Sequence, residues 1–186
     1  MSPNTVPAAM ADSPEVILFG TSSEFGQANV ILAAAYELAK DARFQVHVMS
    51  HPKLEKRVGE LNQNPAFANP ITFHSVEVPR LEEIFRRNGV LMQHAPGFPG
   101  AIIGHTNIIH GVLGFESSEY IEAYHSCFKT IEGLMPSALV LDPIFWFAHD
   151  AARALGLNYI TLGPSSPKDL AGPELPGAAI YWKYPL

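Results

Sequence analysis

Short apolar runs alternate along the chain with stretches whose apolar residues recur every three or four positions. Glu15-Val16-Ile17-Leu18-Phe19 is a continuous apolar strand that ends on Gly20. From Gln27 to Lys40 the residues Val30, Ile31, Ala34, Ala35 and Leu38 fall on one helical face, the spacing of an amphipathic helix. Phe44–Met49 and Ile71–Val76 read as a second and third strand, with a charged surface helix over 51–61 between them. Arg80 to Arg87 forms a short amphipathic helix. Glu116 to Leu134 forms a longer one, with Tyr120, Tyr124, Phe128, Ile131 and Leu134 inward and Pro136 ending it. Strand, helix, strand then follow within 27 residues: Ala138–Leu141, a helical pattern over 145–155 stopped by Gly156, and Tyr159–Leu162.

Strands alternating with helices predict a doubly wound, parallel, Rossmann-like α/β sheet in a single domain. The crossover over 138–162 is expected to be right-handed, since a twisted parallel sheet takes its covering helix that way. The first strand is expected at the centre, with the second and third on one side and the 138–141 and 159–162 strands on the other. The loops 20–26 and 142–145 then face each other across one crevice at the carboxyl ends of the strands, where open α/β sheets bind ligands. Asp142 sits at such an end, directly before Pro143. Its carboxylate is a site candidate, and equally a cap for the helix that follows.

Composition narrows the function classes. Of 186 residues 47% are hydrophobic and only 16% charged, which suggests an apolar cavity or a covered face. A net charge of −6, with no basic cluster, argues against a nucleic-acid partner. No apolar run approaches the roughly 18 residues that cross a bilayer, and the first 14 residues, rich in Pro, Ala and Ser, are expected to be a disordered tail, not a secretory signal. The single cysteine, Cys127, rules out an internal disulfide and fits a reducing, cytoplasmic setting; within a helical pattern it reads as a buried thiol. The 16 prolines and 14 glycines crowd at both ends and around 96–114, where loops are expected.

Residues 88–114 nevertheless mix Met92, Phe98, Ile102, Ile103, Ile108 and Ile109 with His94, His105 and His110. So many large apolar groups imply a segment that packs over something, either a lid on the crevice or a plain helix and loop. Neither the dinucleotide fingerprint nor the P-loop pattern is met at Gly20-x5-Gly26. No Gly-x-Ser-x-Gly elbow is present, and no histidine spacing suits a metal. Histidines that line a pocket suit acid–base work near neutrality. His149 and Asp150 are adjacent on a helix and so cannot face each other. Of Phe145-Trp146-Phe147, packing is the primary expectation.

The strand Val16–Phe19, the turn and helix start Ser23-Glu24-Phe25-Gly26-Gln27-Ala28-Asn29-Val30, Leu139-Val140-Leu141-Asp142-Pro143, Ala152-Arg153-Ala154-Leu155-Gly156-Leu157, Pro164-Ser165-Ser166-Pro167-Lys168-Asp169 and the closing Trp182-Lys183-Tyr184-Pro185 resemble the N-terminal, acceptor-binding half of fungal UDP-dependent glycosyltransferases. The resemblance implies two Rossmann-like domains, a hydrophobic acceptor, a histidine base after the first strand and an aspartate that orients it. Asp142 matches the aspartate. At the place of the histidine stands Phe25-Gly26-Gln27, and neither phenylalanine nor glutamine takes a proton at neutral pH. The donor-binding half has no counterpart in these residues.

With donor site and base both missing, the resemblance suggests an acceptor pocket retained for other work. The leading expectation is cofactor-independent acid–base chemistry on a hydrophobic metabolite. Asp142, His105 and His110 would be catalytic, and Ser22, Phe25, Gln27, Met92, His94, Phe98, Phe145 and Trp146 would bind the substrate. One alternative is the acceptor subunit of a split glycosyltransferase, partnered by a donor-domain chain; the other is a non-catalytic carrier. Exposed apolar surface and the aromatic tail Ile180-Tyr181-Trp182 predict a homodimer.

Overall fold

A computed structural model describes residues 13–89 and 96–165. In chain order the elements are β1 (Glu15–Gly20), α1 (Phe25–Leu38), β2 (Phe44–Ser50), α2 (Glu55–Leu61), β3 (Thr72–Ser75), α3 (Leu81–Arg87), α4 (Phe98–Val112), α5 (Ser117–Leu134), β4 (Ala138–Leu141), α6 (Trp146–Ala154) and β5 (Ile160–Thr161). The five strands form one sheet in the order β3-β2-β1-β4-β5, every pair parallel. The doubly wound sheet with β1 at its centre is therefore as the sequence predicts.

Both faces of the sheet are covered, which is why its strands are apolar without alternation. On one face Ile17, Phe19, Val46, Val48 and Val140 pack against Ile31, Leu32 and Ala35 of α1. On the other, Leu18, Met49, Leu139 and Leu141 meet Ala123, Cys127 and Ile131 of α5 and Ala148, Ala151 and Ala152 of α6. Cys127 is fully buried and free, and burial pushes its thiol well above the ordinary value, so it is a core group. The buried face of α1 is Ala28, Ile31, Leu32, Ala35 and Ala39, turned slightly from the predicted stripe. Val30, Ala34 and Leu38 are only partly covered.

Two sequence expectations are corrected. Residues 98–112, where the prolines and glycines predict loop, form a helix, in line with the helix-and-loop reading of that segment. Its proline, Pro99, occupies the first turn, where a missing N–H costs nothing, and Gly97, at φ 91°, supplies the backbone that starts it. Gly111 lets this helix lie on α3: a Cβ there would come within 1.8 Å of the Phe85 ring. The charged segment 51–61 is likewise not one helix. A 3-10 turn over Pro52–Leu54 precedes α2, and Leu54 and Val58 are both buried. The expected N-terminal tail lies outside the described residues, apart from 13 and 14, and so does the aromatic C-terminal segment.

A histidine pair sits in the sheet. His47 Nδ1 lies 2.8 Å from His74 Nε2, with the rings stacked at 5.1 Å. His47 Nε2 is buried with no partner among the described residues. One ring donates and the other accepts, so a proton added at the accepting nitrogen sets two N–H groups face to face. Burial holds both rings below the ordinary histidine value, and for His47 the neighbouring His74 adds to the effect. The unfolded chain therefore binds more protons as pH falls through about 6.5, and stability is lost on that side. Thermal melts from pH 8 to pH 5 should show the melting temperature falling below about pH 6.5. His74→Leu should flatten that slope; an unchanged slope would clear the pair of responsibility.

Candidate functional site

The crevice lies where β1, β2 and β4 end. Thr21 N–H donates to the Met49 carbonyl at 3.1 Å, and Ser50 Oγ donates to the Thr21 carbonyl at 2.7 Å, which stitches the β1–α1 loop to β2. Asp142 closes the other side. Its Oδ2 accepts from Thr21 Oγ1 at 3.0 Å, from Ser22 N–H at 3.2 Å and from Ser22 Oγ at 3.1 Å. Its Oδ1 accepts from Ile144 N–H at 2.9 Å. The side chain is wholly buried, and four donors converge on it, the setting a buried carboxylate requires. The predicted confrontation of loops 20–26 and 142–145 is thus a direct bond between them. The cap reading is corrected: Asp142 closes the turn before α6 through Ile144 N–H, and the N-cap position of the helix is Phe145, which makes no side-chain capping bond.

The hollow at this crevice is small, about 20 Å³, room for one water molecule. Its walls are Val78, Leu81, Phe115, Phe145 and Phe147, and its polar groups are Ser22, Ser23 and His51. His51 was placed by sequence on a surface helix. It stands instead just beyond β2, with Nδ1 accepting from Lys53 N–H at 3.0 Å. Burial lowers its affinity for a proton, opposed in part by Glu77. The available signal was its position one residue past a strand end, the place where open sheets present ligand groups.

The remaining predicted residues scatter. Ser22 and Phe145 line the crevice. Trp146 lines a separate cavity on α6. Gln27 lies in the first turn of α1, its Oε1 buried and unpartnered among the described residues. Phe25 and Phe98 open α1 and α4, and His105 belongs to α4, but their side chains lie outside what is described. His110, on the last turn of α4, is exposed. Met92 and His94 fall outside the described residues. The pair His149 and Asp150 is not face to face, as expected, yet both line the Trp146 cavity. Among the described residues no group of three or more His, Cys, Asp or Glu side chains is placed to hold a metal.

The likeness to known proteins agrees with this geometry. No protein-family model matches the sequence. Glycosyltransferase sdnJ of Sordaria araneosa is 29% identical over 182 residues, which cover 91% of this chain and 36% of that protein. The chain is glycosyltransferase-like, in the N-terminal half of that fold. It spans about a third of the length of this curated relative. Among solved structures, SsfS6, a glycosyltransferase of Streptomyces sp. SF2575, superposes with a TM-score of 0.56 at 14% identity, covering 90% of this chain and 47% of its own. CalG4, the calicheamicin glycosyltransferase, superposes at 0.54 with 13% identity over 80% of this chain and 32% of its own. Identities this low carry the fold alone. Among the described residues, no helix is long and apolar enough to cross a membrane.

The Asp142 cluster makes a stability prediction. Asp142→Ala leaves two hydroxyls and two N–H groups without their acceptor, which should cost about 3 kcal/mol. In a protein of this size that lowers the melting temperature by roughly 6–12 °C. Asp142→Asn, which keeps one acceptor oxygen, should lose about half as much. Calorimetry that finds the alanine variant as stable as the wild type would remove Asp142 from the role of tie.

Proposed function

We propose that the chain is a glycosyltransferase-like binding domain for a hydrophobic small molecule. Its chemistry there is cofactor-independent proton transfer, such as cyclisation, isomerisation or dehydration in secondary metabolism. The observation that supports this reading is the crevice at the strand ends: apolar walls from Val78, Leu81, Phe115, Phe145 and Phe147 around three polar groups, Ser22, Ser23 and His51. That composition is the one small-molecule sites use. Phe25-Gly26-Gln27, none of which takes a proton at neutral pH, stands where the resemblance places the sugar-transfer base. Asp142 acts by holding Ser22 in place, and the proton-bearing group at the crevice is His51. Because the hollow admits only one water, a ligand enters by displacing the wall that Leu81 and Phe115 form.

A second reading has this chain as the acceptor-binding part of a sugar-transferring assembly, with a donor-binding part supplied separately. It is favoured by the likeness to glycosyltransferase sdnJ, which runs over 91% of this chain while leaving most of that protein unmatched. The two readings separate in one assay. The purified protein is incubated with hydrophobic precursors from its source, with and without UDP-sugar. A product of unchanged mass, formed without the sugar nucleotide, is the expected result. Sugar adducts that appear only when a donor-domain protein is added would establish the second reading in its place, and retention without turnover would leave a carrier.

Self-association is part of the proposal. Ile102, Ile103, Ile109 and Leu113, along α4 and at its end, are 41–58% exposed, and apolar surface of this kind is commonly covered by a second copy. Light scattering at micromolar concentration should give a dimer, and a monomer there would contradict it.

A further inference from the structure

A hollow larger than the crevice lies elsewhere among the described residues. A cavity of about 510 Å³ lies beside α5, α6 and the end of β5, within the range that holds a drug-sized molecule. One turn separates the two. Ile144, Phe145 and Phe147 face the crevice, whereas Pro143 and Trp146 face the larger cavity. Trp146, Tyr120 and Tyr159 give the cavity aromatic walls.

Most polar groups around it are already engaged with one another. Asp150 accepts from the Tyr120 hydroxyl at 2.6 Å and from Arg153 at 3.3 Å. Burial and the Asp150 carboxylate push the Tyr120 phenol up, so it stays a donor committed to that carboxylate.

His149 is different. Only 8% of it is exposed, and its Nε2 lies 2.9 Å from the main-chain oxygen of Asp142. A carbonyl oxygen can only accept, so that nitrogen carries the hydrogen. In the neutral ring the lone pair is then on Nδ1. No described residue bonds Nδ1, and it is not among the buried atoms left without a partner. Tyr159 fixes the ring plane from the side, edge to face at 4.8 Å. An oriented acceptor is thus left for whatever fills an aromatic-walled cavity.

We infer that this cavity binds a hydroxylated aromatic molecule, whose hydroxyl donates to His149 Nδ1 while its ring lies against Trp146 and Tyr159. This goes beyond the crevice reading and uses none of the crevice's polar groups. A hydroxyl is required because the unspent group is an acceptor. A planar ring is required because the walls are aromatic faces and edges, which favour stacked or edge-on partners.

Two probes of nearly equal size test it by equilibrium dialysis: 2-naphthol and 2-methylnaphthalene. The wild-type protein should bind 2-naphthol saturably and at least tenfold more tightly than the methyl analogue. His149→Phe, which keeps a ring against Tyr159, should abolish that preference. Trp146→Ala should weaken both probes about tenfold. In the wild-type protein the His149 Nδ1 resonance in nitrogen-15 spectra should move upfield as 2-naphthol saturates. Equal binding of the two probes, an undiminished preference in His149→Phe, or no saturable binding up to the solubility limit would each overturn the inference. Should His149→Phe fail to fold, an Nδ1 resonance that stays put at saturating 2-naphthol overturns it instead.

Discussion

The carboxylate of Asp142 is the constraint on which the rest of the molecule depends. It is buried and accepts from Thr21, from Ser22 twice and from Ile144, so it joins the loop after β1 to the turn after β4. Those two loops flank the point where the chain order of the sheet reverses, and the carboxylate adds to the main-chain bond there, from Asp142 N–H to the Gly20 carbonyl at 2.9 Å. A charge without water is tolerable only when its lone pairs are met. The four donors meet them, and in doing so they fix the positions of Ser22 and of the 143–147 turn.

That turn then decides the character of both hollows. Its side chains diverge, with Phe145 and Phe147 to one side and Pro143 and Trp146 to the other. Phe145 packs edge-on against Phe147, which in turn meets Phe115 at 4.9 Å. This cluster leaves the crevice almost filled. The far side receives a single large aromatic group beside the half-spent polar set of α6, and space remains there. Aromatic packing at the crevice and openness beside α6 are thus two consequences of one backbone path. His149 links them physically, since its ring grips the main-chain oxygen of the same Asp142.

Likeness to glycosyltransferases fits this arrangement at the level of fold. An aspartate at the end of the fourth strand and a polar loop after the first are both present and bonded. Where the resemblance calls for a base the chain has Phe25-Gly26-Gln27, and the Gln27 amide oxygen is buried without a described partner.

Much of the fold was legible in the chain itself. Strand order, the central β1 and the facing of loops 20–26 and 142–145 follow from apolar runs, helical spacing and the handedness of crossovers, which are local or nearly local rules. Asp142 was readable as a residue of the crevice because it stands at the end of a central strand, directly before proline. The helix over 98–112 was readable only as one of two alternatives, since Pro99 and three glycines signal loop unless the first-turn position of the proline and the Gly111–Phe85 contact are known. His51 and His149 were hidden for a related reason. Whether a histidine is a surface group or an oriented acceptor depends on what its second nitrogen meets, here a Lys53 amide two residues on and an Asp142 carbonyl one helix end away. Sequence determined the sheet and its loops through periodicity. Tertiary structure alone decided which polar atoms were spent and which were left over, because that depends on distances between residues brought together by folding.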